Sequence, residues 1–311
     1  MKKHSIALLL LLVLLTGCGA KTEEAPWQTA YRETGKYLQE QDALSAGSVG
    51  GEWAVIGLSR AGLLSDETAQ SYEQTVEDYV KQAGSVRLHH AKSTENSRAI
   101  LGLTAAGYNA ANMAGVDLTA GLTDMAYLRA QGTNGPIWAL IALDCHGYDI
   151  PQCADGEEQT TCEGLVAEIL SYQCSDGGWA LMGDESDVDM TAMALTSLAP
   201  YQEETDIKAA VDAPLTYLSD AQQADGGFMS WGAANSESCA QVIVALTALG
   251  IDSAADSRFV KNGASPLDGL CAFACEGGGF RHSDEVWLPS RASTHWPLMT
   301  ASGRDRHACS T

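Results

Sequence analysis

The chain has 311 residues with 40 acidic against 18 basic side chains, a net charge of -22. Such an excess of carboxylates repels phosphate backbones and anionic lipid surfaces, which argues against nucleic acid as a partner. The length suits one large domain behind a short leader.

Met1-Lys2-Lys3-His4 is cationic, and the ten residues from Ile6 to Leu15 are apolar, the order of an export signal. A bilayer-spanning helix needs roughly 20 residues, so this run is too short to be one. Leu15-Thr16-Gly17-Cys18 follows and resembles the lipobox of bacterial lipoprotein precursors. The resemblance implies cleavage after residue 17, acylation of Cys18, and a protein exported and held by lipid at the outer face of the bacterial cytoplasmic membrane. Residues 18–29 then read as a polar tether. Eight further cysteines show no CxxC spacing, so a structural zinc site has little support and no metal or cofactor is expected. Small core residues explain Cys174 and Cys239 better than any specific bridge.

From residue 30 to 285 the chain repeats. Amphipathic segments at Glu67 to Gln82, Glu163 to Tyr172 and Ile207 to Asp220 predict outer helices. Segments apolar nearly all round, at Arg98 to Ala106, Met190 to Leu198 and Gln241 to Leu249, predict buried inner helices. The period is about 50 residues per pair. Strand signals are nearly absent. Gln173-Cys174-Ser175-Asp176-Gly177-Gly178-Trp179 recurs as Gln222-Gln223-Ala224-Asp225-Gly226-Gly227-Phe228, with a third copy at Gly277-Gly278-Gly279-Phe280 and a degenerate one at Gly50-Gly51-Glu52-Trp53.

The Gln-x3-Gly-Gly-aromatic motif resembles the QW repeat of the terpene cyclase and protein prenyltransferase superfamily, where it locks successive helix pairs. The resemblance implies an all-α fold, an α/α toroid of five to six helix pairs. From about Ser45 to His282 the chain is similar to secreted Gram-positive proteins carrying prenyltransferase and squalene oxidase repeats, through Gly50–Leu58, Asn134–Leu143 and Asn235–Gln241. Residues 286–311 depart from that pattern, with Trp287, Pro289, Trp296 and Pro297 and no helical period. A shifted reading frame would explain them, and the toroid is then expected to be incomplete at its C-terminus.

Polar residues at the starts of inner helices face the central mouth of a toroid. Candidate ligand-binding residues are therefore Glu95, Asn96, Asn235 and Glu237, together with Trp138 on the Asn134–Leu143 segment. Helix capping is the plain alternative for most of the polar ones. Asp187-Val188-Asp189-Met190-Thr191-Ala192 resembles the Asp-x-Asp-Asp-Thr-Ala element of class II terpene cyclases such as squalene-hopene cyclase, which implies catalytic roles for Asp189 as the acid that protonates an alkene and Asp187 as its neighbour. Met190 stands where that element has its last Asp, and aromatic residues make up 7% of the chain, few for steadying a carbocation. Glu237, Cys239 and His295 follow the order of prenyltransferase zinc ligands, with Glu in place of Asp. Asp189-Met190-Thr191-Ala192-Met193-Ala194 is also similar to a stretch of the cobalamin carriers, whose helical domain is a toroid. The favoured expectation is a surface lipoprotein whose toroid binds a hydrophobic or corrinoid-like ligand, or a surface protein, without catalysis. The alternative is a squalene-hopene-like cyclase using Asp189.

Overall fold

The computed structural model describes residues 24–41 and 44–283. Cys18, the leader and the atypical tail with His295 lie outside the described residues. Pro26 starts the first helix, α1 (Pro26–Gln39), inside the stretch expected to be a tether. Proline suits the first helical position, where its missing N–H costs nothing.

Helices then alternate between two layers. The inner layer is α2 (Val49–Arg60), α4 (Thr94–Ala105), α6 (Asn134–Asp144), α8 (Val188–Leu198) and α10 (Ser236–Ala248), each packed on the next. The outer layer is α1, α3 (Asp66–Ala83), α5 (Met125–Arg129) with the short 3-10 turns before it, α7 (Cys162–Ser171), α9 (Thr205–Ala221) and α11 (Pro266–Cys271). Outer helices carry sequence-legible ends. On α3, Ser65 Oγ accepts from the Thr68 amide and Gly84 closes the helix at φ 61°. A two-stranded hairpin, β1 (Met229–Ser230) and β2 (Ala233–Ala234), is a small addition to an all-α ring. None of the described helices is long and apolar enough to cross a membrane.

The glycine-aromatic motifs hold the layers in order. The Gln173 Nε2 donates to the carbonyls of Gly177 (2.8 Å) and Ala210 (2.9 Å), tying its own turn to α9. The Gln222 Nε2 donates likewise to Gly226 (3.2 Å) and Phe259 (2.9 Å). Trp179 is fully buried and its indole N–H donates to Ile169 of α7 at 2.7 Å. Gly226 has φ 88°, and a Cβ there would meet the Ser265 carbonyl oxygen at 2.1 Å, so no other residue fits.

The third copy has Ala274 where the others have Gln, yet its turn keeps the same backbone bonds, Cys275 N–H to Gly279 and Gly278 N–H to Cys275. Its side-chain lock comes from the other end of the chain. The buried Thr34 Oγ1 of α1 accepts from the Gly279 amide at 3.0 Å, and Gly278 lies against the Glu33 carbonyl, closing the outer layer on itself. The fourth expected copy is not a turn. Gly50-Gly51-Glu52-Trp53 forms the first helical turn of α2, where Gly51 lets the backbone approach the Ser45 carbonyl; a Cβ would come within 1.9 Å of it. Among the described residues the inner layer has five helices and none follows α11. All seven cysteines from Cys145 to Cys275 are unbridged.

Replacing Thr34 with Val keeps the shape but leaves the buried Gly279 amide without its acceptor, a loss of about 1–3 kcal/mol. Denaturant unfolding should show that decrease, with faster hydrogen exchange at Gly279. Unchanged exchange would mean that α1 does not close the ring through this bond.

Candidate ligand-binding mouth

Side-chain bonds bring the starts of the inner helices to one end of the ring. Gln131, just before α6, accepts from Ser93 and Thr94 at the start of α4, both at 3.0 Å. Thr133 donates to the Ala180 carbonyl ahead of α8 (2.8 Å), and Ser230 donates to Asp187 Oδ2 (2.6 Å), joining the hairpin to α8. Four of the five inner helices place a carboxylate in their first turn: Glu52, Glu95, Asp189 and Glu237. Each lies at the positive end of its helix dipole, where a negative charge is favoured.

Several expected site residues have framework roles. Asp187 is the N-cap of α8; its Oδ1 accepts from the amides of Asp189 (3.0 Å) and Met190 (3.1 Å) while Oδ2 holds Ser230. Asn235 caps α10 by accepting from the Ser238 amide at 2.8 Å. Asn96 is fully buried; it donates to the carbonyls of Val86 and Leu118 and accepts from the Leu88 amide, which fixes the loop ahead of α4 and leaves nothing for a ligand. Cys239 is completely buried and its thiol is pushed up to about 12, far from the thiolate a metal needs. Among the described residues no group of three or more His, Cys, Asp and Glu is arranged to hold a metal ion.

The remaining carboxylates form two clusters. On one side Glu95 pairs with Arg98 at 2.6 Å and accepts from Tyr79 (3.4 Å). Glu52 stands beside them, 1% exposed, with Oε1 accepting from the Gly47 amide (2.6 Å) and Oε2 buried without a hydrogen-bond partner among the described residues. Burial raises its pKa and the nearby Arg98 acts against that. Sequence reasoning passed over Glu52; its position directly before Trp53 in a glycine-rich helix start was the available signal. On the other side, Glu237 pairs with His282 at 2.8 Å. Next to it, Asp189 has its carboxyl raised to about 6, chiefly because burial disfavours the charge, with Asp187 and Glu237 adding repulsion and the Ser238 and Ser230 hydroxyls working against both. Asp189 Oδ1 and Ser238 Oγ are both buried with no hydrogen-bond partner among the described residues.

Beneath this acidic layer the inner helices bring apolar side chains together. Trp53 of α2 and Trp138 of α6 are each 9% exposed, their rings 5.2 Å apart and tilted by 53°. Ile56 and Ala240, with the partly buried Leu101, Ile141, Met193 and Val244, complete the cluster, to which all five inner helices contribute. Trp138 is thus the floor of the mouth. Met190, at the place of the missing carboxyl, points into the core and is 5% exposed. The arrangement offers buried carboxylates and an unsatisfied hydroxyl above a packed apolar floor.

No family model matches the sequence, and no curated protein matches it. In fold the chain is similar to a solved structure, ent-copalyl diphosphate synthase from Streptomyces platensis, with a TM-score of 0.52 at 16% identity over 82% of this chain and 49% of that one. The chain therefore spans about half the length of that enzyme. The likeness shows a terpene cyclase-like, all-α toroid.

Because burial raises the folded-state pKa of Asp189 from the ordinary 3.8 to about 6, its contribution to stability is fully present below pH 3.8 and lost as pH rises to about 6. At pH 7 the buried charge costs up to about 3 kcal/mol. Asp189→Asn should therefore raise the unfolding free energy at pH 7 and leave it nearly unchanged below pH 3.8. Denaturant titrations at both pH values check this; an Asn variant less stable at pH 7 would show that the carboxylate is held by partners instead.

Proposed function

We propose that this chain is an exported lipoprotein, anchored through Cys18, whose terpene cyclase-like toroid binds a ligand at its acidic mouth without transforming it. The observation that carries this reading is the tryptophan pair at the centre of the inner helices. A cyclase acting through Asp189 needs an open apolar chamber below the acid, large enough to fold a polyprenyl chain, and the contact between the Trp53 and Trp138 rings among the inner helices speaks against one. The acid itself also speaks for binding. An alkene-protonating carboxyl must be neutral and unusually strong, made so by hydrogen bonds to its carboxyl group. Asp189 is made weaker by burial, and its Oδ1 has no such bond among the described residues. The occupant is a small hydrophobic or corrinoid-like molecule, or a surface protein. Calorimetric titration with cobalamin that gives no heat would remove the corrinoid.

Native mass spectrometry of protein purified from the membranes of its own host tests the reading. It should show a chain beginning at acylated Cys18 that carries a non-covalent ligand released unchanged. An unacylated chain would remove the anchor. Conversion of squalene or a linear prenyl diphosphate to a cyclic product, lost in Asp189→Asn, would replace the binder with a cyclase.

A further inference from the structure

The two loops that lead from the glycine-aromatic turns into α8 and α10 carry apolar side chains in solvent. Met182 is 82% exposed and Trp231 87%, with Leu181 and Met229 partly so. Packing does not call for them. Trp231 also sits at φ 52° and Gly232 at φ 82° at the tip of the β1–β2 hairpin. Both central residues of such a turn need positive φ, a place where Asn-Gly is usual and a bulky aromatic is disfavoured. A large ring is thus held out at some cost to the fold.

The hairpin is fixed to the acidic mouth. Ser230, the residue before Trp231, donates to Asp187 Oδ2 at 2.6 Å, at the start of α8 and two residues from Asp189. Facing Asp189 from α10 is Ser238, completely buried, its Oγ without a hydrogen-bond partner among the described residues, as is Asp189 Oδ1. This is a buried carboxylate with no positive charge of its own to balance it, next to a hairpin that exposes an indole and a thioether. Carboxylates supply the counter-charge of an ammonium group, indole faces attract it through their quadrupole, and methionine packs adaptably on alkyl chains. The net charge of -22 draws cations to such a mouth and repels anions.

We propose that the mouth between α8 and α10 binds an organic ammonium ion with an apolar body, Asp189 providing the counter-charge, Ser238 a hydrogen-bond partner, and Trp231 and Met229 of the hairpin the cover. This assignment rests on the mouth being a binding site, and it names the chemical class of the ligand.

The test uses octylammonium, octanol and octyl sulfate as probes of one chain length, titrated by calorimetry against the full-length protein and against the Asp189→Asn and Trp231→Ala variants, each checked for native circular dichroism. The ammonium should bind at least tenfold more tightly than octanol, octyl sulfate more weakly still, and either substitution should weaken the ammonium tenfold or more. Trp231 is exposed, so its removal leaves the fold intact and keeps the test decisive. Equal affinity for the three probes, or ammonium binding indifferent to both substitutions, overturns the ammonium assignment. If octanol alone binds and Trp231→Ala weakens it, the ligand class is wrong while the mouth remains a binding site. If none of the probes binds and host-purified protein carries nothing, the binding reading falls with it.

Discussion

Two glutamine amides carry the order of this ring. Gln173 and Gln222 each donate from one nitrogen to two carbonyls, one in their own glycine turn and one in the next repeat, Ala210 within α9 and Phe259 on the loop ahead of α11. A single side chain thereby fixes the shape of a turn and its distance from the next element. The turn can be that tight only because glycine occupies the positive-φ position against a neighbouring backbone. Where the third copy lacks its glutamine, Thr34 substitutes from the N-terminal helix, and the same local device becomes the closure of the outer layer.

Repeating such a unit places every inner helix with its N-terminus at the same end. That geometry gathers four first-turn carboxylates around one mouth before any ligand is considered. Dipole stabilisation accounts for a carboxylate at a helix start, and capping accounts for Asp187 and Asn235. Neither accounts for Glu52 Oε2 and Asp189 Oδ1, which are buried without a hydrogen-bond partner among the described residues. Burial of an unpaired acid opposes folding, and such costs concentrate at sites that serve a function. The same ring geometry brings apolar side chains of all five inner helices together around the Trp53 and Trp138 pair.

Much of this was legible in the sequence, for identifiable reasons. The Gln-x3-Gly-Gly-aromatic spacing and the contrast between amphipathic and uniformly apolar helices are local patterns, and they place α3, α4, α7, α8, α9 and α10 within a few residues of their observed bounds. The capping alternative for Asp187 and Asn235 was equally local. What stayed hidden depends on contacts between distant residues. The glycines of Gly50-Gly51-Glu52-Trp53 look like a turn, yet they serve a close helix approach to Ser45. Asn96 looks like a mouth residue until its three backbone partners are seen. Nothing in the order of residues tells that Trp53 and Trp138 meet, or that Glu52 is the most buried carboxylate of the mouth.

The central claim is that the axis is a packed floor and ligands stop at the mouth. Fluorine NMR of protein labelled with 5-fluorotryptophan, with resonances assigned by single substitutions, addresses it directly. The Trp53 and Trp138 signals should be insensitive to exchange of water for deuterium oxide and to added squalene, while the Trp231 signal responds to solvent. Movement of the Trp53 and Trp138 signals on addition of squalene would mean that the ring opens into a substrate chamber and would contradict the account.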